Sequence, residues 1–480
     1  MITEPFSFET QLGYNKKNQI VSTSVFTQSS FKVDISDESI EELEVEFSYS
    51  VEFIKTEIPW RNRFSKYVDS KFYPHKSEVH WLSIFNSILL VLLLMSFLIL
   101  ILMRVLKQDF VRYMGGLSED LEADLQGDDR DPLLAEENAA AIMEEETGWK
   151  LLHGDVFRCP SYPSLFAAII GVGTQLIACS VLVLGMALCG IVSTTYRGQI
   201  LSATVISYNL TGFVAGYVTA QVYALLTVTL QTKSTVSGSM SWMAPLVNAI
   251  LLYTVPVGAV FAYVNTVAIT GGSTAAMPIS AIFTVLALSV FVGVPSTLLG
   301  NIIGRYNFRN GSLSKPMPTR TNKIPRQIPP IVWWKGPVVQ ILVGGCLPFS
   351  AIYIELHYIF ASLWGHAIYT LFGILMLSLL LLLVVVSFIS VALLYFQLQN
   401  EHHEWWWRSV FVGGSTGFFL YGYCFLYFFH RSEMAGFLQG SFFFGYMLCL
   451  SYGLSLMLGS MSWFSCFVFV KYIYGRIKSD

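Results

Sequence analysis

The chain has 480 residues, of which 54% are hydrophobic and 13% are charged, and its formal net charge is −3. A soluble domain carries about 25% charged residues, so roughly half of the usual surface charge is missing. This composition excludes an ordinary soluble protein, and the small net charge gives no indication of a nucleic-acid-binding surface.

The first 80 residues differ from the rest because they are polar and have the alternation of β-strands. In Glu44–Phe53, apolar and polar residues alternate with a period of two, which predicts a half-buried strand. Gln19–Val25 and Ser30–Ile35 are weaker candidates. Two or three strands make only part of a sheet, and no basic and apolar leader follows Met1. We therefore expect residues 1–80 to be the C-terminal part of a β-rich domain in an N-terminally truncated chain.

The first apolar segment, Leu82–Met103, contains 22 residues and no charge. As a helix it would rise about 33 Å, enough to cross a hydrocarbon core of about 30 Å. Trp81 precedes it, and Arg104 and Lys107 follow it, as is typical of the two membrane interfaces. These features predict a first transmembrane helix over residues 81–103.

Residues 104–162 form an acidic loop with 14 Asp and Glu against 6 Lys and Arg. Such a charge excess is typical of a solvated linker, and partner binding is the alternative interpretation.

Beyond this loop, long uncharged runs predict eight further spans in a bundle over 163–470, with a basic, Pro-rich linker at 304–337 and a tail at 471–480. The total is therefore nine. The predicted spans are 165–192, 199–229, 244–269, 279–303, 338–364, 367–397, 410–429 and 437–470.

The distribution of Lys and Arg among the loops predicts the orientation. With the N-terminus outside the cytosol, the cytosolic loops carry 18 Lys and Arg and the opposite loops carry 2. Positively charged loops favour the cytosolic side. We therefore expect the protein to span the lipid bilayer with its N-terminus in the lumen and its C-terminus in the cytosol.

Glu355 is the only acidic residue inside a predicted span. An ionisable group at that depth costs several kcal/mol unless it is paired or hydrated. Glu355 is thus a candidate intramembrane polar site, either for an ion or proton or as a carboxyl satisfied within the bundle. His357 is two residues further on, about 200° around a helix, and belongs to the same candidate region without being an automatic partner.

Glycines recur at the G-x-x-x-G spacing, which allows helix backbones to approach closely in lipid. They serve either packing within the bundle or docking of a helix from another protein. The pairs are Gly212 and Gly216, Gly300 and Gly304, Gly413 and Gly417, and Gly436 and Gly440.

Other patterns give little support to catalysis or to a cofactor. His402, His403 and Glu404 are adjacent, so their side chains would diverge on a helix, and the tryptophans that follow are typical of a membrane interface. We find no zinc-ligand spacing, phosphate loop or nucleophile elbow, and we predict neither an enzyme nor a metal site.

The tail places Lys478 and Asp480 around one small residue. An adaptor with complementary pockets could bind this arrangement, and a polybasic membrane anchor is the alternative.

Several motifs, in order along nearly the whole chain, resemble the transmembrane 9 superfamily, also called nonaspanins or the endomembrane protein 70 family. These motifs are Ile58-Pro59-Trp60, Gly148-Trp149-Lys150, His153-Gly154-Asp155-Val156-Phe157-Arg158, Gly344-Gly345-Cys346-Leu347-Pro348-Phe349 and Trp405-Trp406-Trp407-Arg408.

The resemblance implies a lumenal β-rich domain, nine helices and residence in Golgi and endosomal membranes. In this family a terminal Lys-x-Asp/Glu signal binds the COPI coat, a pattern that Lys478 and Asp480 match, although Ser479 replaces a frequently apolar residue. Relatives also help client transmembrane proteins with glycine-rich segments to reach the cell surface. The fold class expected is mainly α, a polytopic membrane protein with nine transmembrane helices and a partial β-rich lumenal N-terminal domain. The function expected is protein sorting, and the alternative is a transporter or channel built around Glu355.

Overall fold

A computed structural model gives the fold of two compact units, residues 1–79 with 194–197, and the remainder of the chain. The residues that it describes are 6–14, 20–27, 47–55, 85, 88–89, 91–107, 148–192, 198–231, 242–274, 276–310, 317–319, 321–322, 324–364, 371–432, 434 and 436–475.

The first unit contains a three-stranded sheet made of β1 (Phe6–Tyr14), β2 (Ile20–Thr27) and β3 (Phe47–Lys55). The strand order is β2-β1-β3, with β1 antiparallel to β2 and parallel to β3. β2 overlaps the predicted strand at 19–25, and β3 overlaps the one at 44–53. The predicted strand at 30–35 lies outside the described residues, and sequence reasoning missed β1.

The second unit is helical. Its first described helix, α1 (91–107), overlaps the first predicted span, 81–103, and continues four residues beyond its predicted end. The helices that follow are α2 (Pro163–Leu188), α3 (Gln199–Gln231), α4 (Met243–Thr270), α5 (Ile279–Leu288), α6 (Val294–Asn310), α7 (Pro337–Trp364), α8 (Leu371–Gln399), α9 (Trp406–His430) and α10 (Phe437–Tyr474).

Seven of these helical segments are long and apolar enough to cross a membrane: α2, α3, α4, α5–α6 taken together, α8, α9 and α10. α7 contributes a shorter apolar stretch, Pro337–Tyr353, and α1 has 17 consecutive helical residues in the described part. The structure therefore supports a polytopic membrane protein, and the number nine stays a prediction.

The predicted span at 279–303 is one transmembrane unit with a widened turn inside it. A π-helical turn, Ser289–Gly293, separates α5 from α6. Pro295 is the second residue after this turn, and proline has no N–H to donate to the preceding helical turn. A π-helical turn is one way in which a helix accommodates such a break.

Burial divides the helices into central and peripheral ones. In the most apolar window of each helix, 61% of the residues of α9 and α10 are buried, against 11% in α4 and 6% in α5–α6. Most of the apolar surface of α4 and α5–α6 is therefore not covered by the described residues. α1 packs on the bundle through Val91, which contacts a cluster containing Ala351 of α7 and Val385 of α8.

An aromatic cluster joins the central helices near one end. The ring of Phe166 on α2 meets those of Trp406 on α9 and Trp463 on α10 edge to face, with ring centres 5.8 Å apart in both pairs. Trp463 stacks in turn on Phe467, one turn further along α10. Buried aromatic contacts of this kind fix α2, α9 and α10 against one another.

Candidate functional site

Glu355 lies in α7 and is 5% exposed. Its Oε2 atom is buried and has no hydrogen-bond partner among the described residues. A buried polar atom without a partner costs about 1–3 kcal/mol, so this carboxyl is an energetic anomaly within the described part of the bundle.

His357 has a different environment from Glu355. Its Nδ1 atom lies 3.3 Å from the hydroxyl oxygen of Tyr423 on α9. Both residues line a cavity of about 410 Å³ together with His430 and Arg431, and Glu355 is not part of this lining. The structure therefore places the two members of the candidate polar site in separate surroundings.

The first two glycine pairs lie where α3 crosses α6. A Cβ atom added at Gly216 would lie 1.9 Å from the carbonyl oxygen of Thr297, and one added at Gly300 would lie 2.0 Å from that of Phe213. Gly212 and Gly304 lie on the same crossing and are nearly as crowded. These four glycines thus contact helices of their own chain.

The third pair lies where α9 crosses α10. A Cβ atom at Gly413 would lie 2.4 Å from the carbonyl oxygen of Leu458, and one at Gly417 would lie 2.1 Å from Oγ of Ser455. Backbones that approach this closely leave no room for a side chain, or for another helix, between them.

The fourth pair has no such contact in the described structure. Gly436 precedes α10 with φ 107°, a left-handed backbone that favours glycine. A Cβ atom at Gly436 would meet no atom within 4 Å, and one at Gly440 would meet only Phe428 at 3.7 Å. Gly436 is therefore a helix-start residue, and the pair does not form a helix crossing.

Sequence reasoning missed a site formed by four distant segments, residues 148–161, 317–326 and 397–408 together with Tyr474. We call it the loop junction. Three aromatic side chains hold it by donating hydrogen bonds to backbone carbonyl oxygens. These are Trp405 Nε1 to Val156 (2.7 Å), Trp407 Nε1 to Ser161 (2.9 Å) and Tyr474 OH to Trp149 (2.6 Å).

An ionic network completes the loop junction. Asp155 is 3% exposed, forms a salt bridge with Arg158 and also accepts a 3.3 Å hydrogen bond from the backbone N–H of Arg326. The guanidinium of Arg326 pairs with Glu401 at 2.9 Å, and the N–H of Asn322 donates to the carbonyl oxygen of Gly154 at 2.8 Å. The linker between α6 and α7 is thus attached to the two other loops.

These contacts constrain the path of the chain. The guanidinium of Arg158 donates a 3.2 Å hydrogen bond to the backbone carbonyl of Asn322. Between these two residues the chain passes through α2, α3, α4 and α5–α6, which are four crossings of the bundle. Two helices separate Arg326 from Glu401, and two more separate Trp405 from Tyr474. Even numbers of crossings return the chain to the same end of the bundle. The bias of Lys and Arg among the loops predicts that the segments of the loop junction lie on the cytosolic side.

His402 lies in the loop junction just before α9. Burial, together with the nearby Arg408 charge, lowers the pKa of His402 to about 4, against the partly compensating effect of Glu404. The imidazole is therefore neutral at pH 7. Within the described residues, no group of three or more His, Cys, Asp or Glu side chains is placed to hold a metal ion.

The signals for the loop junction were present in the sequence. Its residues include the motifs 148–150, 153–158 and 405–408, which carried the family resemblance. Sequence reasoning placed the tryptophans of 405–407 at a membrane interface and assigned them no partners. Lys478 and Asp480, the candidate coat-binding signal, lie outside the described residues.

Comparison with known proteins gives consistent results. The sequence model of a family described as endomembrane protein 70 matches residues 5–437. The chain is 43% identical to transmembrane 9 superfamily member 4 of Arabidopsis thaliana over 470 residues, covering 98% of this chain and 73% of that protein. It is 42% identical to member 2 of the same organism, with 97% and 72% covered.

A mammalian relative is similar to nearly the same extent. Transmembrane 9 superfamily member 1 of Bos taurus is 40% identical over 433 residues, which cover 90% of this chain and 67% of that protein. No solved structure matches the chain.

Proposed function

Because the chain belongs to the endomembrane protein 70 family, whose curated relatives are transmembrane 9 superfamily members, we propose that it sorts client membrane proteins in Golgi and endosomal membranes. In this proposal the bundle binds glycine-rich transmembrane segments of clients, and the tail returns the complex through the COPI coat. The multi-pass membrane character of the protein is supported by its apolar helices.

The exposed face of α4 is the observation that best supports client binding. Gly258, Ala259 and Ala262 are exposed on this peripheral helix, and a Cβ atom at Gly258 would meet no atom within 4 Å. Small residues allow a second helix to approach closely in lipid, which suits a glycine-rich partner. The α3–α6 and α9–α10 glycines are already in contact within the bundle, so the client surface is assigned to α4.

The proposed membrane orientation places the loop junction and the tail in the cytosol and the sheet of β1–β3 in the lumen. Its support is the excess of Lys and Arg in the loops that meet at the junction. The number of crossings proposed is nine, with α1 and α7 added to the seven long apolar helices.

Crosslinking from α4 tests client binding directly. A photo-reactive residue at Ala262 should recover membrane proteins with glycine-rich spans, and Gly258→Leu should remove them. Gly422→Leu is the matched control, because a Cβ atom at Gly422 on α9 also meets no atom within 4 Å. Equal recovery from both glycine variants would contradict the assignment of clients to α4.

The coat-binding signal is tested by location in cells. Lys478→Ala with Asp480→Ala should move the protein beyond the Golgi, since the proposed signal needs both charges. Ser479→Ala, which keeps both charges, should leave the distribution unchanged. A double variant that stays in the Golgi would remove the coat from this proposal.

A transporter or channel is the second candidate, and the buried Oε2 of Glu355 without a partner among the described residues favours it. This function predicts pH- or ion-dependent flux in liposomes that Glu355→Gln abolishes. Flux that persists in the variant, or no flux from the native protein, would contradict it.

A further inference from the structure

A second cavity, of about 370 Å³, opens beside the loop junction. It lies between the segment that ends at Ser161, the start of α7 at Pro337 and the first two turns of α9. The residues used below, Arg158, His403, Trp406 and Arg408, all contribute to its lining.

Arg408 carries a buried positive charge at this cavity. It is 7% exposed, its Nη2 atom has no hydrogen-bond partner, and it forms no ion pair among the described residues. The carboxylate of Glu404 also lines the cavity but lies beyond ion-pair distance of Arg408. Removing a guanidinium from water is costly unless an anion compensates it.

Two further buried nitrogens at the same cavity lack partners. Nδ1 of His403 and Nε1 of Trp406 have no hydrogen-bond partner among the described residues, and these side chains are 6% and 3% exposed. The indole N–H is always a donor, and His403 donates in the tautomer that carries its proton on Nδ1. Together with Arg408 Nη2, three unpartnered nitrogens thus belong to side chains that line this one cavity.

The position of the cavity indicates where an anion would come from. Trp406 and Trp407 begin α9, and tryptophan is enriched where a membrane meets water. Arg158 at the cavity is already paired with Asp155 and extends the lining toward solvent. In the membrane orientation proposed above, on which this step rests, the start of α9 lies near the lipid headgroups, and Arg408 gives the cavity a charge suited to phosphate.

We propose that this cavity binds the phosphate of an anionic phospholipid headgroup, with Arg408 as the charged anchor and Trp406 and His403 as the remaining donors. Each phosphate oxygen accepts hydrogen bonds, so one group can satisfy all three nitrogens. The acyl chains would extend along the lipid-facing side of α7 and α9, on which Phe411 is 50% exposed.

The test uses the purified full chain in detergent with dihexanoyl phosphatidic acid, and separately with inorganic phosphate. The native protein should bind the lipid, and Arg408→Gln should weaken binding by about tenfold or more, the loss expected for a charge-assisted contact. Arg305→Gln is the matched control, because Arg305 lies over the ring of Trp242 and does not line this cavity.

Trp406→Phe is a second variant, which tests the proposal even if the Arg408→Gln protein does not fold. It retains an aromatic ring in the cluster with Trp463 but removes the N–H, and should weaken lipid binding severalfold. Equal affinity of the native protein and these variants would overturn the proposal. Inorganic phosphate that binds as tightly as the lipid, and also depends on Arg408, would overturn the assignment to a lipid headgroup.

Discussion

Trp405 donates a 2.7 Å hydrogen bond from its indole nitrogen to the backbone carbonyl of Val156, joining positions 249 residues apart in the sequence. Both residues are fully buried, at 0% exposure. This contact attaches the segment before α2 to the segment before α9, and it lies at the centre of the loop junction.

Replacing Trp405 with phenylalanine should lower the free energy of unfolding by about 1–3 kcal/mol, because the buried carbonyl of Val156 loses its donor. The measurement is the thermal transition of the purified protein in detergent. Trp333→Phe is the control, since the side chain of Trp333 is 80% exposed. An equal effect of both changes would show that the hydrogen bond has no special importance.

Gly216→Ala should destabilise the crossing of α3 and α6, because its Cβ atom would lie 1.9 Å from the carbonyl oxygen of Thr297. The expected loss is about 1–3 kcal/mol from overpacking, despite the better helix propensity of alanine. Gly258→Ala, at an open position on α4, should be neutral or stabilising. The two melting temperatures, measured side by side, should thus shift in opposite directions or by clearly different amounts.

The contribution of His402 to the free energy of unfolding should fall as the pH decreases from about 6.5 toward 4. Its pKa is lowered to about 4 in the folded protein, so the unfolded chain binds the proton more readily over this interval. The contribution is fully present above the unfolded pKa and is lost at lower pH. Melting temperatures at pH 7 and pH 5 should differ less in His402→Gln than in the native protein, and an identical pH dependence would contradict this.

The two acidic residues of the loop junction should respond differently to removal. Asp155→Ala should cost about 2–3 kcal/mol, because this carboxylate is buried and its loss removes the ion-pair partner of Arg158 and the acceptor of the Arg326 N–H. Glu401→Ala should cost at most about 1 kcal/mol, since the Arg326 side chain with which it pairs is 40% exposed. Chemical unfolding of both variants measures the difference, and equal costs would be inconsistent with these environments.

The helices were the most predictable part of the fold. Uncharged runs of spanning length gave α2, α3, α4 and α8 to within a few residues, because lipid-exposed backbone has to be helical. The start of α9 was predicted four residues late, since its first turn carries Arg408, a charge that is sequestered in the bundle.

The sequence could not predict which helices and loops contact one another. The G-x-x-x-G spacing marks a helix face that can approach another, but it does not say which helix will be the partner. It is the fold that places Gly216 against Thr297 and Gly413 against Leu458. The loop junction was missed for the same reason, because its contacts join segments that lie far apart in the sequence. β1 was missed because Thr10 occupies an apolar position of its alternation, between Phe8 and Leu12.

The hydrogen bond from Tyr474 to Trp149 spans 325 residues of sequence, and this separation has a consequence for biogenesis. At a synthesis rate of about 5–20 residues per second, the segment around Trp149 leaves the ribosome roughly 20–60 s before its partner exists. Until then the carbonyl oxygen of Trp149 lacks the Tyr474 hydroxyl as a donor, and the Trp149 ring lacks its edge contact with the Tyr474 ring. A nascent protein can therefore be recognised as unfinished until its last helix has been inserted.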